Sequence, residues 1–164
     1  MPKASGRIGL LLALLDESYE RKAWHGPNLR GSLRGVTAKQ AAWRPVAGRH
    51  NIWELALHSA YWKYAARNRM TAGARGTFPE KGSNWFARPS SGGASEKAWR
   101  SDVRLLEGQH RELRRALERF PERGLDRRAP GGRYTFATLL YGIASHDVYH
   151  AGQIQLLKRL QRKP

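Results

Sequence analysis

Cysteine is missing from the 164 residues, which excludes disulfide scaffolds, thiolate metal sites and cysteine nucleophiles. Long apolar runs are nearly missing too. The one strong run, Ile8 to Leu15, is far too short to span a bilayer. Lys3 and Arg7 precede it as they would in a secretory signal, but Asp16, Glu17, Glu20 and Arg21 follow at once, with no small-residue cleavage site. It reads as the buried face of a first helix in a cytoplasmic protein. Nothing sustains strand alternation or repeats at a fixed period, so sheets and solenoids are not expected. No Ser-His-Asp order, phosphate loop or dinucleotide-binding glycine pattern is present, and Gly92-Gly93 and Gly131-Gly132 read as turns.

Acidic residues are scarce: 13 stand against 30 Lys and Arg, a formal net charge of +17. Such an excess raises nucleic acid or an anionic surface as partners. However, the 22 arginines are scattered from Arg7 to Arg162 in runs no longer than two, where a dedicated nucleic-acid reader concentrates them. The charge alone therefore assigns no function. The length suits one domain, residues 1–164, with one core.

What is present is helical periodicity. A first helix is expected from about Ser5 to Trp24, carrying Ile8, Leu11, Leu12, Leu15 and Tyr19, and ended by Gly26-Pro27. Thr37 and Gln40 have capping-box spacing for a short helix, and Asn51 with Glu54 starts a long one to about Met70. Thr71 to Gly93 is rich in Gly, Pro, Ser and Arg around Trp85-Phe86. So long a loop is functional or mobile, either an active-site lid or a disordered insertion, and the aromatic pair suggests that part of it packs back on the fold. Ser95 caps a helix to about Phe120, with the stripe Trp99, Val103, Leu106, His110, Leu113, Leu117 and Phe120. Thr135 caps the last, to about Arg162, with the stripe Leu139, Ile143, His146, His150, Gln153, Leu157 and Leu160. Four long amphipathic helices predict an all-α, antiparallel four-helix bundle with an extra short helix and a long loop.

Three polar residues interrupt that last seam. A buried polar side chain without a partner costs a few kcal/mol, so His146, His150 and Gln153 must be satisfied by something. Histidines four apart on a helix share a face, about 6 Å apart at Cβ, and can chelate one cation. A third ligand would come from a facing helix, from His58 or His110; His25 and His50, beside loop residues, are poor candidates. A backbone carbonyl or carboxylate partner would equally satisfy a buried histidine. Three histidines on a divalent cation leave a position open for water or substrate. Glu54, one turn before His58, is either its hydrogen-bond acceptor or a capping residue, and Gln153, one turn beyond His150, is placed to orient that ring. Tyr61 and Trp62 either line the pocket or belong to the core. Asp147 is expected to point away from the metal face, as a surface or neighbouring-helix partner of an arginine.

Trp43-Arg44-Pro45, Asn51-Ile52-Trp53-Glu54-Leu55-Ala56-Leu57-His58 and His146-Asp147-Val148-Tyr149-His150-Ala151-Gly152-Gln153-Ile154 together resemble the DinB-like, or YfiT-like, family of metal-dependent enzymes, over about Leu10 to Leu160. The resemblance implies a four-helix bundle, often a homodimer, in which His58, His146 and His150 bind a divalent metal such as zinc or nickel. It also implies a small-molecule substrate and the chemistry of thiol-dependent transferases, isomerases or hydrolases that use low-molecular-weight thiols. The alternatives are a basic stress-response module that binds nucleic acid, and a metal-binding protein without catalytic activity.

Overall fold

Helices form where the sequence caps them. Thr37 and Asn51 each close a capping box with Gln40 and Glu54. Ser95 and Thr135 accept from the backbone N–H of Ala98 and Thr138, and Asn28 from that of Gly31. The computed structural model describes residues 6–72 and 76–162. It contains α1 (Gly6–Tyr19), α2 (Leu29–Leu33), α3 (Ala38–Ala42), α4 (Ile52–Met70), α5 (Glu96–Glu118) and α6 (Phe136–Leu160). Short single-turn helices lie at Ser91–Gly93 and Glu122–Gly124, and the described residues form no strand. None of their helices is long and apolar enough to cross a membrane. The expected helix start at Ser5, and Lys3 before it, lie outside the described residues, as do residues 73–75 of the long loop.

α1 is shorter than its periodicity suggested. The N–H groups of Glu20 and Arg21 both bond to the carbonyl of Asp16, at 2.9 and 2.8 Å, which closes the helix at Tyr19 and leaves Trp24 fully exposed. α2 was not foreseen, because five residues are too few to show a period.

α4 packs on α5 and α6, and α1 packs on the same two helices. α4 and α5 run parallel, against the antiparallel expectation: Trp53 meets Asp102 near their starts, at 2.7 Å, and Arg67 meets Glu112 near their ends, at 3.9 Å, because the long loop carries the chain back to the same end of the bundle. α2 lies on α6, and α3 on α4. Two apolar clusters form the interior. One joins Leu29, Leu33 and Ala41 to Trp53, Leu57, Trp99, Leu106 and Ile154. The other joins Leu11, Leu15, Ala66, Leu113, Leu117, Leu140 and Ile143. Along α4, α5 and α6 the residues between the clusters are polar and buried: Lys63, His110 and Asp147.

Asp147 corrects the sequence reading. It does not lie outside the core beside an arginine; it is fully buried and paired with Lys63, which is fully buried as well. Burial pushes the lysine pKa down and the aspartate pKa up, while their mutual attraction opposes both shifts. The Lys63 ammonium also lies 5.1 Å from the centre of the Tyr19 ring. With Asp147 turned inward, the buried face of α6 is Phe136, Leu140, Ile143, Ala144, Asp147, His150, Ala151, Ile154 and Leu157. Leu160, expected in the seam, is exposed, and Leu139, His146 and Gln153 sit at the seam's border.

Removing one member of a buried pair strands the other charge. Lys63→Met or Asp147→Asn alone is expected to cost about 3–5 kcal/mol in urea unfolding. The double variant Lys63→Met/Asp147→Leu should recover most of that loss; a double variant as unstable as the sum of the singles would contradict this account.

Candidate metal centre

His58 faces the start of the α6 histidine pair because α4 and α6 pack together and Lys63 and Asp147 fix their rotation. The Nε2 atoms of His58 and His150 each lie 3.0 Å from Nε2 of His146. The ligand atoms of the three histidines all fall within 4.8 Å of one another. Two nitrogens bound to one zinc-sized cation at about 2.0–2.1 Å stand roughly 3.0–3.4 Å apart, according to the angle between the bonds.

The partners of the other ring nitrogens fix the tautomers. Nδ1–H of His58 donates to the carbonyl of Asn84 at 2.8 Å, and Nδ1–H of His150 to Oε1 of Gln153 at 2.6 Å. Both rings therefore turn an Nε2 lone pair toward His146. His146 has one N–H to offer, and its Nδ1 has no partner among the described residues. If the proton is on Nε2 it satisfies one neighbour; if it is on Nδ1, three lone pairs face one another. A single cation satisfies all three nitrogens, so the residues present fit a metal ion. Burial, then the neighbouring rings, lowers the pKa of His146 to about 3; burial chiefly lowers that of His150 to about 4 and also depresses that of His58. All three are thus neutral, as ligands must be, at pH 7.

The long loop supplies the cover. Asn84 adopts a left-handed φ of 66°, which asparagine tolerates, and its Oδ1 accepts from Trp62 Nε1 at 2.9 Å. Trp85 then lies flat on the His58 ring at 3.8 Å, with His50 stacked on its other face at 3.5 Å. Phe78 and Phe86 are buried beside Tyr61, and Arg88 ties the loop to Asp102 of α5 at 2.8 Å. Asn84 and Trp85 were not singled out as site residues; their only signal was an aromatic pair inside a segment poor in apolar residues.

Glu54 takes the capping alternative and not the one at His58. It pairs with Arg44, lies 3.1 Å from His50 Nδ1 and accepts from the backbone N–H of Asn51 and Arg88; its hydrogen bonds include none to His58. It anchors the segments before α4 and the end of the loop. Gln153 touches His150 directly and donates to the Tyr149 hydroxyl at 3.2 Å. Trp62 lines a cavity of about 610 Å³ that reaches His146, while Tyr61 packs with phenylalanines in the core.

His110, the other candidate third ligand, lies apart, stacked on Tyr19 at 3.9 Å. It groups with Asp16 and Glu20 within 4.8 Å. The Asp16 carboxylate, however, is already held by Arg114 at 2.8 Å and Arg21 at 3.3 Å. Burial, then Lys63, Arg114, Arg111 and Arg30, depresses the His110 pKa strongly, and the same positive field disfavours a cation there. Below pH 6.5 the unfolded chain therefore takes up a proton at His110 that the folded chain refuses. That contribution to stability falls as pH falls, by about 1.4 kcal/mol per pH unit for one proton. His110→Phe should flatten the acid side of the stability curve by about that slope, measured by urea unfolding between pH 6.5 and 4.5; an unchanged slope would contradict it.

A comparison with curated proteins and one with solved structures returned no match. A family model does match: residues 23–154, from before α2 to the far side of the α6 histidines, fit that of the DinB superfamily. With this match over most of its length and a three-histidine group able to hold a metal, the chain belongs to the DinB superfamily.

Proposed function

We propose that the protein is a cytoplasmic metal-dependent enzyme, one domain built as a four-helix bundle, in which His58, His146 and His150 hold a divalent ion such as zinc or nickel. The observation that carries this reading is the convergence of three neutral Nε2 atoms, two of them with their Nδ1 protons already committed elsewhere. Bound there, the cation would supply Lewis acidity, lowering the pKa of a water or thiol in its open position.

The surrounding residues prepare that position. The Asn84 carbonyl and Gln153 hold two imidazoles in the liganding tautomer, and Trp85 keeps water from one face of His58. The cavity beside His146 has walls of Trp62, Tyr134, Leu139 and Ile143, with Arg69 and Arg133 among them. Such walls suit a small substrate with an apolar body and an anionic group, and thiol-dependent transfer or hydrolysis involving a low-molecular-weight thiol is the reaction class that fits best. Second-copy contacts belong to the same reading: Leu10, Leu14 and Tyr141 expose large apolar side chains on α1 and α6, as a homodimer face would.

Protein purified without a nickel column should carry a stoichiometric transition metal that His146→Ala/His150→Ala loses; equal metal in both would sink the assignment. Gln153→Leu should keep the site but weaken metal affinity by about 10–100-fold in competition with a chromogenic chelator. An unchanged affinity would leave Gln153 without a role in orienting His150.

A further inference from the structure

A cavity of about 710 Å³ stands apart from the one that reaches His146. It lies where the last turns of α4 and α5 meet the chain leading into α6, and six arginines line it: Arg67, Arg69, Arg115, Arg119, Arg127 and Arg128. Glu112 is its one carboxylate, and it is already shared by Arg115 at 2.9 Å and Arg67 at 3.9 Å.

Some arginines elsewhere are matched with acids, while others, such as Arg34, Arg104, Arg111 and Arg159, pair with no carboxylate among the described residues but stand dispersed and not in one cavity. Arg7 holds Asp126, Arg44 holds Glu54, Arg88 holds Glu80 and Asp102, and Arg114 holds Asp16 and Glu118. No carboxylate among the described residues pairs with Arg69, Arg119, Arg127 or Arg128. The dipoles at the ends of α4 and α5 attract Arg69 and Arg119, but Arg127 and Arg128 follow the Glu122–Gly124 turn and owe nothing to a helix end. Cations gathered in a concave site repel one another, and a bound anion relieves that repulsion. Phe120 and Phe136, with rings 4.8 Å apart, give the cavity an apolar side, so it is walled and not a flat basic face.

We infer that this cavity is a second ligand site, for a small molecule bearing a phosphate-type polyanion. It is separate from the histidine centre and does not depend on metal there. Guanidinium groups bind phosphate oxygens through paired, charge-assisted hydrogen bonds, and four arginines without carboxylate partners can neutralise a multiply charged group. A walled cavity selects a compact anion over the continuous backbone of a nucleic acid, which needs an extended groove.

Calorimetric titration of pyrophosphate into the full chain at low ionic strength tests this. Saturable binding is expected. It should weaken at least about tenfold in Arg127→Gln/Arg128→Gln and move the same way in Arg119→Gln, which sits on a different element. The control Arg34→Gln/Arg159→Gln, on surface away from the cavity, should bind like the parent, and so should His146→Ala/His150→Ala. Absence of pyrophosphate binding, or an equal loss in the control, overturns the proposal; a loss in the histidine variant overturns its independence from the metal centre. A short single-stranded DNA that binds where pyrophosphate does not, and is released by the Arg127/Arg128 substitutions, overturns the small-anion reading in favour of a nucleic-acid surface.

Discussion

The buried pair of Lys63 and Asp147 is the constraint from which the rest of the interior follows. Its two charges have no water to fall back on, so α4 and α6 are held at the one mutual rotation that brings ammonium to carboxylate. At that rotation His58, five residues before Lys63, meets His146 and His150, which flank Asp147. An apolar contact in the same place would tolerate a slide or a turn of either helix; a buried ion pair does not. The liganding geometry is thus inherited from a contact that contains no ligand.

Much of the frame was legible because its signals are local. Asn51 with Glu54, Thr37 with Gln40, Ser95 and Thr135 announce helix starts through side chains that can reach backbone N–H groups three residues on. The histidines of α6 were visible for the same reason, being one turn apart. What stayed hidden depends on long-range partners. Asp147 was expected to pair with an arginine, on the surface or on a neighbouring helix, whereas its partner is the buried Lys63 of α4, 84 residues away along the chain. The α6 stripe was right at Ile143, His150 and Leu157 and off by one between them: the reading put Gln153 and Leu160 in the seam and left the aspartate out. Asn84 and Trp85 could not be found by period or spacing, because an irregular loop has neither, and Glu54 near His58 proved to serve His50 and Arg44.

The +17 charge changes meaning once the acids are located. Acids such as Asp16, Glu54, Asp102 and Asp126 are tied to particular arginines, where they staple helices and loops together. Much of the excess stays dispersed, at residues such as Arg34, Arg49, Arg104, Arg111 and Arg159. Part of it is gathered at one end of the molecule, beyond α4 and α5, and Arg69 lines both that cavity and the one beside His146. Position, more than total, decides what such a charge can attract.

The Trp85 stack would govern how readily a metal could enter or leave the three-histidine group. Its indole is clamped between His50 and His58, but the backbone that carries it belongs to no regular element of any length. Peeling back a loop costs far less than separating packed helices, and segments of that kind open while the remainder of a fold stays intact. A metal held there would thus be gripped by rigid helical ligands and released on the timescale of a loop, so that grip and exchange would belong to different parts of the chain.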